Sequence, residues 1–169
     1  MRKALAALVL GVAVMTVAGT TVAPKPAKLP PRSEAVSAVL GPLNAMHRAQ
    51  ERGQEEPFLY WLDVWERMHS AQQAFVSVQD FARCMPTVAE SHTFDDTEGA
   101  RRVRKVDTAL IPGTTDQRVK SRRMQVRFKT ESGIRTNEER AFLDGKDWKF
   151  ALSSDIFAAC NAALGRPPQ

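Results

Sequence analysis

The 169 residues, 43% of them hydrophobic and 25% charged, suit one ordinary globular domain and leave no room for two. No internal repeat and no long low-complexity tract is present. The net charge of +5 is uneven: residues 101–150 hold 14 Lys/Arg and 7 Asp/Glu. Such asymmetry reads as the solvated face of a sheet or as a site for a polyanion.

The first 23 residues read as a signal peptide or N-terminal anchor. Arg2 and Lys3 precede a run from Ala4 to Pro24 without a charge, rich in Ala, Leu and Val. Val17 and Gly19 suit a cut after Gly19. The run also approaches the ~20 residues that span a bilayer, which leaves an uncleaved anchor open. It contains no cysteine, so acylation at one is excluded. Residues 24–33 are a Pro-rich linker carrying Lys25, Lys28 and Arg32. One domain over 34–165 and a frayed tail over 166–169 follow. Loss of Arg2 and Lys3 leaves 22 basic against 19 acidic residues, or +3.

Export places the only cysteines, Cys84 and Cys160, in an oxidising compartment, where a pair usually bonds. In the chain-entropy picture, a bridge across 76 residues stabilises the fold by about 4 kcal/mol. No histidine stands at metal-ligand spacing from either cysteine.

In chain order, Ser33 to Gly53 is helical, with Val36, Val39, Leu40, Leu43 and Met46 on one face. Gly41-Pro42 predicts a kink or two short helices there. Pro57 to His69 is the clearest helix, begun by Pro57 behind Glu55 and Glu56, with Phe58, Trp61, Leu62, Trp65 and Met68 as its stripe. Trp61 and Trp65 serve as core or as a ligand box. Ser77 to Met85 is a third helix, capped by Ser77 with Asp80 and ended by Pro86.

The period then changes to two. A segment around 102–111 ends at the Pro112-Gly113 turn. Met124, Val126 and Phe128 alternate with Gln125, Arg127 and Lys129 in a half-buried strand. Turns at Ser132-Gly133 and Asp144-Gly145 delimit a strand around 135–143 and a last one with Trp148, Phe150 and Leu152. Ser154 caps a closing helix with Ile156, Phe157, Cys160 and Leu164, ended by Gly165. The order predicts an α+β fold: N-terminal helices packed on a curved antiparallel meander sheet, with a short C-terminal helix.

Three runs in this order, MHSAQQAFVSVQDFARC (Met68 to Cys84), LIPGT (Leu110 to Thr114) and DGKDWKFAL (Asp144 to Leu152), are followed by a closing cysteine. The set resembles small exported actinobacterial proteins with a nuclear transport factor 2-like fold, over most of residues 56–160. The resemblance implies a curved sheet wrapped around helices into a cone, often with a pocket at its mouth. Family members include ketosteroid-isomerase-like enzymes, binding modules and dimeric adaptors, so it selects no reaction.

The sequence holds no nucleophile motif, glycine-rich phosphate loop or metal spacing, and calls for no cofactor. His47 and His69 lie at the edges of apolar helical stripes and read as structural; His69 is placed to bond a helix-end carbonyl. His92 stands beside Phe94, Asp95 and Asp96 in a polar connection, where a His/Asp pair suits proton transfer. The residues expected at a pocket are Tyr60, Trp61, Trp65 and His69. Those expected against an anionic surface are Arg102, Arg104, Arg127 and Lys129.

Two functions fit. One is an exported, non-catalytic module, secreted or held at the cell envelope, that binds a lipid, peptide or protein. The other is an isomerase- or hydratase-like enzyme with an Asp/His base in the cone. The expected partners are anionic envelope lipid or a protein, not nucleic acid, and a homodimer is compatible with both functions.

Overall fold

A computed structural model describes residues 28–52, 57–114 and 117–166. The signal or anchor segment, the linker up to Ala27, the helix stop at Gly53, Glu55, Glu56 and the last three residues lie outside these. The elements in chain order are α1 (Arg32–Arg52), α2 (Pro57–Glu66), α3 (Ser70–Gln73), α4 (Val78–Ser91), β1 (Thr97–Arg101), β2 (Val106–Leu110), β3 (Arg118–Thr130), β4 (Gly133–Asp144), β5 (Asp147–Lys149) and α5 (Ser154–Ala163). The fold is α+β, with helices followed by a curled antiparallel sheet and a short final helix.

Pro42 does not divide its helix in two, and Pro86 does not end its own. α1 runs unbroken through Gly41-Pro42, and α4 continues past Pro86 to Ser91. A proline inside a helix costs about 3 kcal/mol through its missing donor and ring clash. Burial on both sides offsets this. Val39, Ala45 and Met46 flank Pro42, and Phe81, Cys84, Met85 and Val88 flank Pro86, all of them buried. α1 also begins at Arg32, inside the stretch expected to be linker.

α2 ends at Glu66 rather than His69. Met68 leaves the helix to bridge Phe150, and His69 becomes the N-cap of α3. Ser77 caps α4 as expected, its hydroxyl accepting from the Asp80 amide. The cap position of α5 is Ser153, one residue before the expected Ser154. Arg166 is not frayed: its guanidinium donates to Phe75 O at 3.1 Å and pairs with Asp80.

The sheet path is β1-β3-β4-β5, and β2 also pairs with β3. β1 lies against residues 125–128 of β3 and β2 against residues 118–122. The two are one edge of the sheet, interrupted at Arg102, a non-glycine residue at φ +50°. The expected single segment around 102–111 is therefore two strands, the first starting earlier.

Met124, Val126 and Phe128 are buried on the inner face as their alternation predicts. They share a cluster with Ala35 and Val39 of α1, Ala141 and Trp148. A second cluster joins α1, α2, α4 and α5 around Met46, Trp61, Val64, Phe81 and Met85. Trp61 packs edge-on to Phe81 and Phe94, with ring centroids 6.3 and 6.1 Å apart. In the same cluster Cys84 and Cys160 lie at disulfide distance, with Cα atoms 5.0 Å apart, tying α4 to α5.

Candidate functional site

The helices do not fill the sheet's concave face. In an antiparallel pair, residues directly opposite project to the same side. Met124 lies opposite Glu139, Val126 opposite Asn137 and Phe128 opposite Arg135. Because the β3 partners face inward, β4 presents Arg135, Asn137 and Glu139 to the interior, in line with buried Ala141. These three side chains line a cavity of about 540 Å3.

Its remaining walls come from three places. Leu43, Met46, Phe94, Phe128 and Phe150 supply apolar surface. His92 and Asp95 enter from the segment after α4, and Asp155 and Ile156 from the first turn of α5. The cavity adjoins a wider open groove that reaches His47, Glu51 and Lys129.

Glu139 is the singular group here. It makes no hydrogen bond or ion pair with any described residue. Burial pushes its carboxyl up to about 7; the Arg135 charge opposes this and Asp155 adds to it. Asp155 goes the other way. A hydrogen bond from Ser153, backbone donors at the α5 N-terminus and His92 hold its carboxyl below the usual range despite some desolvation. Arg135 is engaged by Asp95 at 2.9 Å and sits 5.5 Å over the Phe128 ring. The His92 Nδ1 is 3.0 Å from Ser91 Oγ and 3.2 Å from Val88 O. The arrangement therefore sets one proton-holding acid, one ionised acid and one histidine around a partly apolar space.

The four residues expected at a pocket do not line this cavity. Trp61 is fully buried core. Trp65 is half-buried and donates through Nε1 to Val76 O at 2.9 Å. Tyr60 lies with Leu59 and Asp63 along a separate groove between α1 and α2. Buried His69 caps α3 instead of bonding a carbonyl at the end of α2: its Nδ1 accepts from the Ala71 amide at 3.1 Å. Its Nε2 then donates to Leu143 O at 3.3 Å, which defines the Nε2–H tautomer. His47 is structural as read, with Nδ1 2.8 Å from Phe94 O. Of the histidine and acids singled out in the sequence, His92 and Asp95 reach the cavity, and Asp96 lines only the adjoining groove.

The four basic residues expected on an anionic surface divide. Arg127 pairs with Glu98 at 2.9 Å and Lys129 approaches Asp96 at 3.6 Å. Arg102 and Arg104 are exposed, without an ion pair to any described residue.

Glu139, Asn137, Arg135 and Asp155 were missed in the sequence. The first three carried a signal. Once Ala141 is taken as inward, a period of two makes 139, 137 and 135 inward too, and three polar residues on the buried face of a strand mark a cavity. Asp155 carried none beyond its place in a first helical turn.

No cluster of His, Cys, Asp and Glu among the described residues is arranged to hold a metal, and no described helix is long and apolar enough to cross a membrane. Comparison of the chain with protein-family models finds no match, and comparison with curated proteins finds none either.

Proposed function

We propose that the chain is an exported binding module of the nuclear transport factor 2-like class, which takes up a small, partly apolar ligand in the mouth of its cone. The observation that carries this is the 540 Å3 cavity with Glu139 unpartnered on its wall. Its volume is that of a drug-sized ligand site, and apolar walls with a few convergent polar groups are the usual make-up of such sites. An unpartnered acid in a desolvated place costs stability, and a hydrogen-bonding ligand relieves that cost.

Titration with the neutral fluorescent probe N-phenyl-1-naphthylamine tests the reading. Saturable fluorescence enhancement is expected, and Ile156→Trp, which fills the cavity, abolishes it. Leu110→Trp, on an exposed position away from the cavity, leaves it intact. No enhancement, or equal enhancement in Ile156→Trp, overturns the proposal.

The raised carboxyl of Glu139 also favours a second reading, a general acid–base enzyme. A group poised near 7 both accepts and donates protons efficiently at neutral pH. Proton exchange into the α-carbon of cyclohexanone in heavy water should exceed background and fall to it in Glu139→Gln. Equal exchange in the variant removes this reading and leaves the binding proposal standing.

A further inference from the structure

The break between β1 and β2 carries the sequence RRVRK, residues 101–105. Val103 turns inward and packs against the α1 cluster. Arg101, Arg102, Arg104 and Lys105 are exposed, and none forms an ion pair with a described residue. The segment is held in place, because the Arg104 amide donates to Arg123 O at 2.8 Å. Several cations elsewhere on the sheet are compensated, although Arg118 and Lys120 at the start of β3 are exposed and without an ion pair to a described residue. Arg123 meets Glu138 at 3.3 Å, Arg127 meets Glu98 at 2.9 Å and Arg140 meets Asp107 at 2.9 Å. The β1–β2 break thus concentrates four exposed, unpaired cations within five residues, while Arg123, Arg127 and Arg140 meet carboxylates.

That edge lies where the chain comes in from its N-terminal segment. The Trp148 Nε1 donates to Pro30 O at 3.3 Å. The Arg122 guanidinium stacks 5.5 Å over the Trp148 ring and donates to Arg104 O at 3.1 Å. Three contacts therefore link Pro30 to Arg104, and exposed Lys28 and Arg32 stand beside Pro30 in the chain. Glu34 and Asp147 share a groove with Trp148, where the cations Arg67 and Lys149 accompany them. The uncharged run of the sequence ends at Pro24, four residues before Lys28. At ~3.5 Å per residue, that end is within about 14 Å of the basic edge's neighbour, Lys28.

We propose that this edge is a docking surface for an anionic lipid bilayer, with Arg101, Arg102, Arg104, Lys105, Lys28 and Arg32 against the headgroups. Arg127 and Lys129 stand outside the surface because carboxylates already occupy them. The docking brings the basic edge and the apolar N-terminal run to the same membrane. The edge has no exposed aromatic side chain on which bases could stack, which favours lipid over a single-stranded nucleic acid. The inference is independent of the cavity.

Flotation of the full chain with phosphatidylcholine vesicles, with and without phosphatidylglycerol, tests it. Any partitioning of the N-terminal run is common to both vesicles, so the readout is the increment due to anionic lipid. An increment is expected at low salt and is lost as salt screens the charges. Each basic residue near an anionic surface contributes about fivefold, so Arg102→Gln/Arg104→Gln/Lys105→Gln loses about a hundredfold. Lys28→Gln/Arg32→Gln, which leaves the sheet untouched, loses roughly twenty-five-fold. Arg127→Gln/Lys129→Gln keeps the increment. Absence of an increment, an equal loss in the Arg127/Lys129 variant, or equally tight binding to polyglutamate or an oligonucleotide overturns the proposal.

Discussion

Glu139→Gln isolates the cost of the cavity's acid. In the unfolded chain this carboxyl titrates near its ordinary value of 4.5, and in the fold at about 7. The folded state therefore holds the proton more tightly. Below about pH 4.5 both states are protonated and the group costs nothing. As pH rises from about 4.5 to about 7 the unfolded chain ionises first, and stability falls. Above that window the loss has reached about 3 kcal/mol. Glutamine keeps the volume and hydrogen-bonding capacity without the charge. The variant should match the wild type near about pH 4 and exceed it by about 3 kcal/mol at about pH 8. Urea unfolding of both proteins across that range gives the difference directly. Asp80, Asp107 and Asp144, all held below the usual carboxylate range, destabilise both proteins in acid alike and cancel. A difference that stays within about 0.5 kcal/mol from end to end would refute the claim that Glu139 is desolvated and unpartnered.

Three further outcomes follow from the packing. Unfolded, non-reduced protein should show no free thiol, and reduction should lower stability by about 4 kcal/mol; two thiols per chain in the absence of reductant would rule the bridge out. Trp61→Ala should cost about 3–5 kcal/mol in chemical unfolding, as for a buried aromatic, and Trp65→Ala less because that ring is only partly buried. The reverse order would show the wrong tryptophan has been placed in the core. The Asp144 carboxylate accepts from Ser70 N at 2.8 Å and Ser70 Oγ at 2.9 Å, and these bonds hold its carboxyl low against some desolvation. Its stabilisation is present above the ordinary Asp value and lost as pH falls through the lowered folded one, so Asp144→Ala should cost about 1–2 kcal/mol at neutral pH and less in acid, read by thermal unfolding at two pH values.

What the sequence determined by itself were quantities written in local order. Alternation through Met124, Val126 and Phe128 specified the inner face of β3, because side chains alternate along any strand. Short turns after β3 and β4 specified an antiparallel meander, since so few residues allow nothing else. Ser77 declared itself as a cap, and the cysteines as a pair.

Tertiary structure decided the rest. Pro42 and Pro86 are local helix breakers, and only the burial on both sides of each, invisible along the chain, carries the helices past them. Trp61 and Trp65 occupy the same periodic stripe, but the curvature of the packed helices buries one fully and leaves the other at the boundary. His69 looked like the end of one helix and is the start of the next, because Met68 is drawn into a bridge with Phe150 far along the chain. The cavity is the clearest case. Glu139 lies on β4, His92 after α4 and Asp155 on α5, and no pattern of short period links positions so far apart. Cross-strand register and the seating of α5 bring them to one space, and both are set by long-range packing.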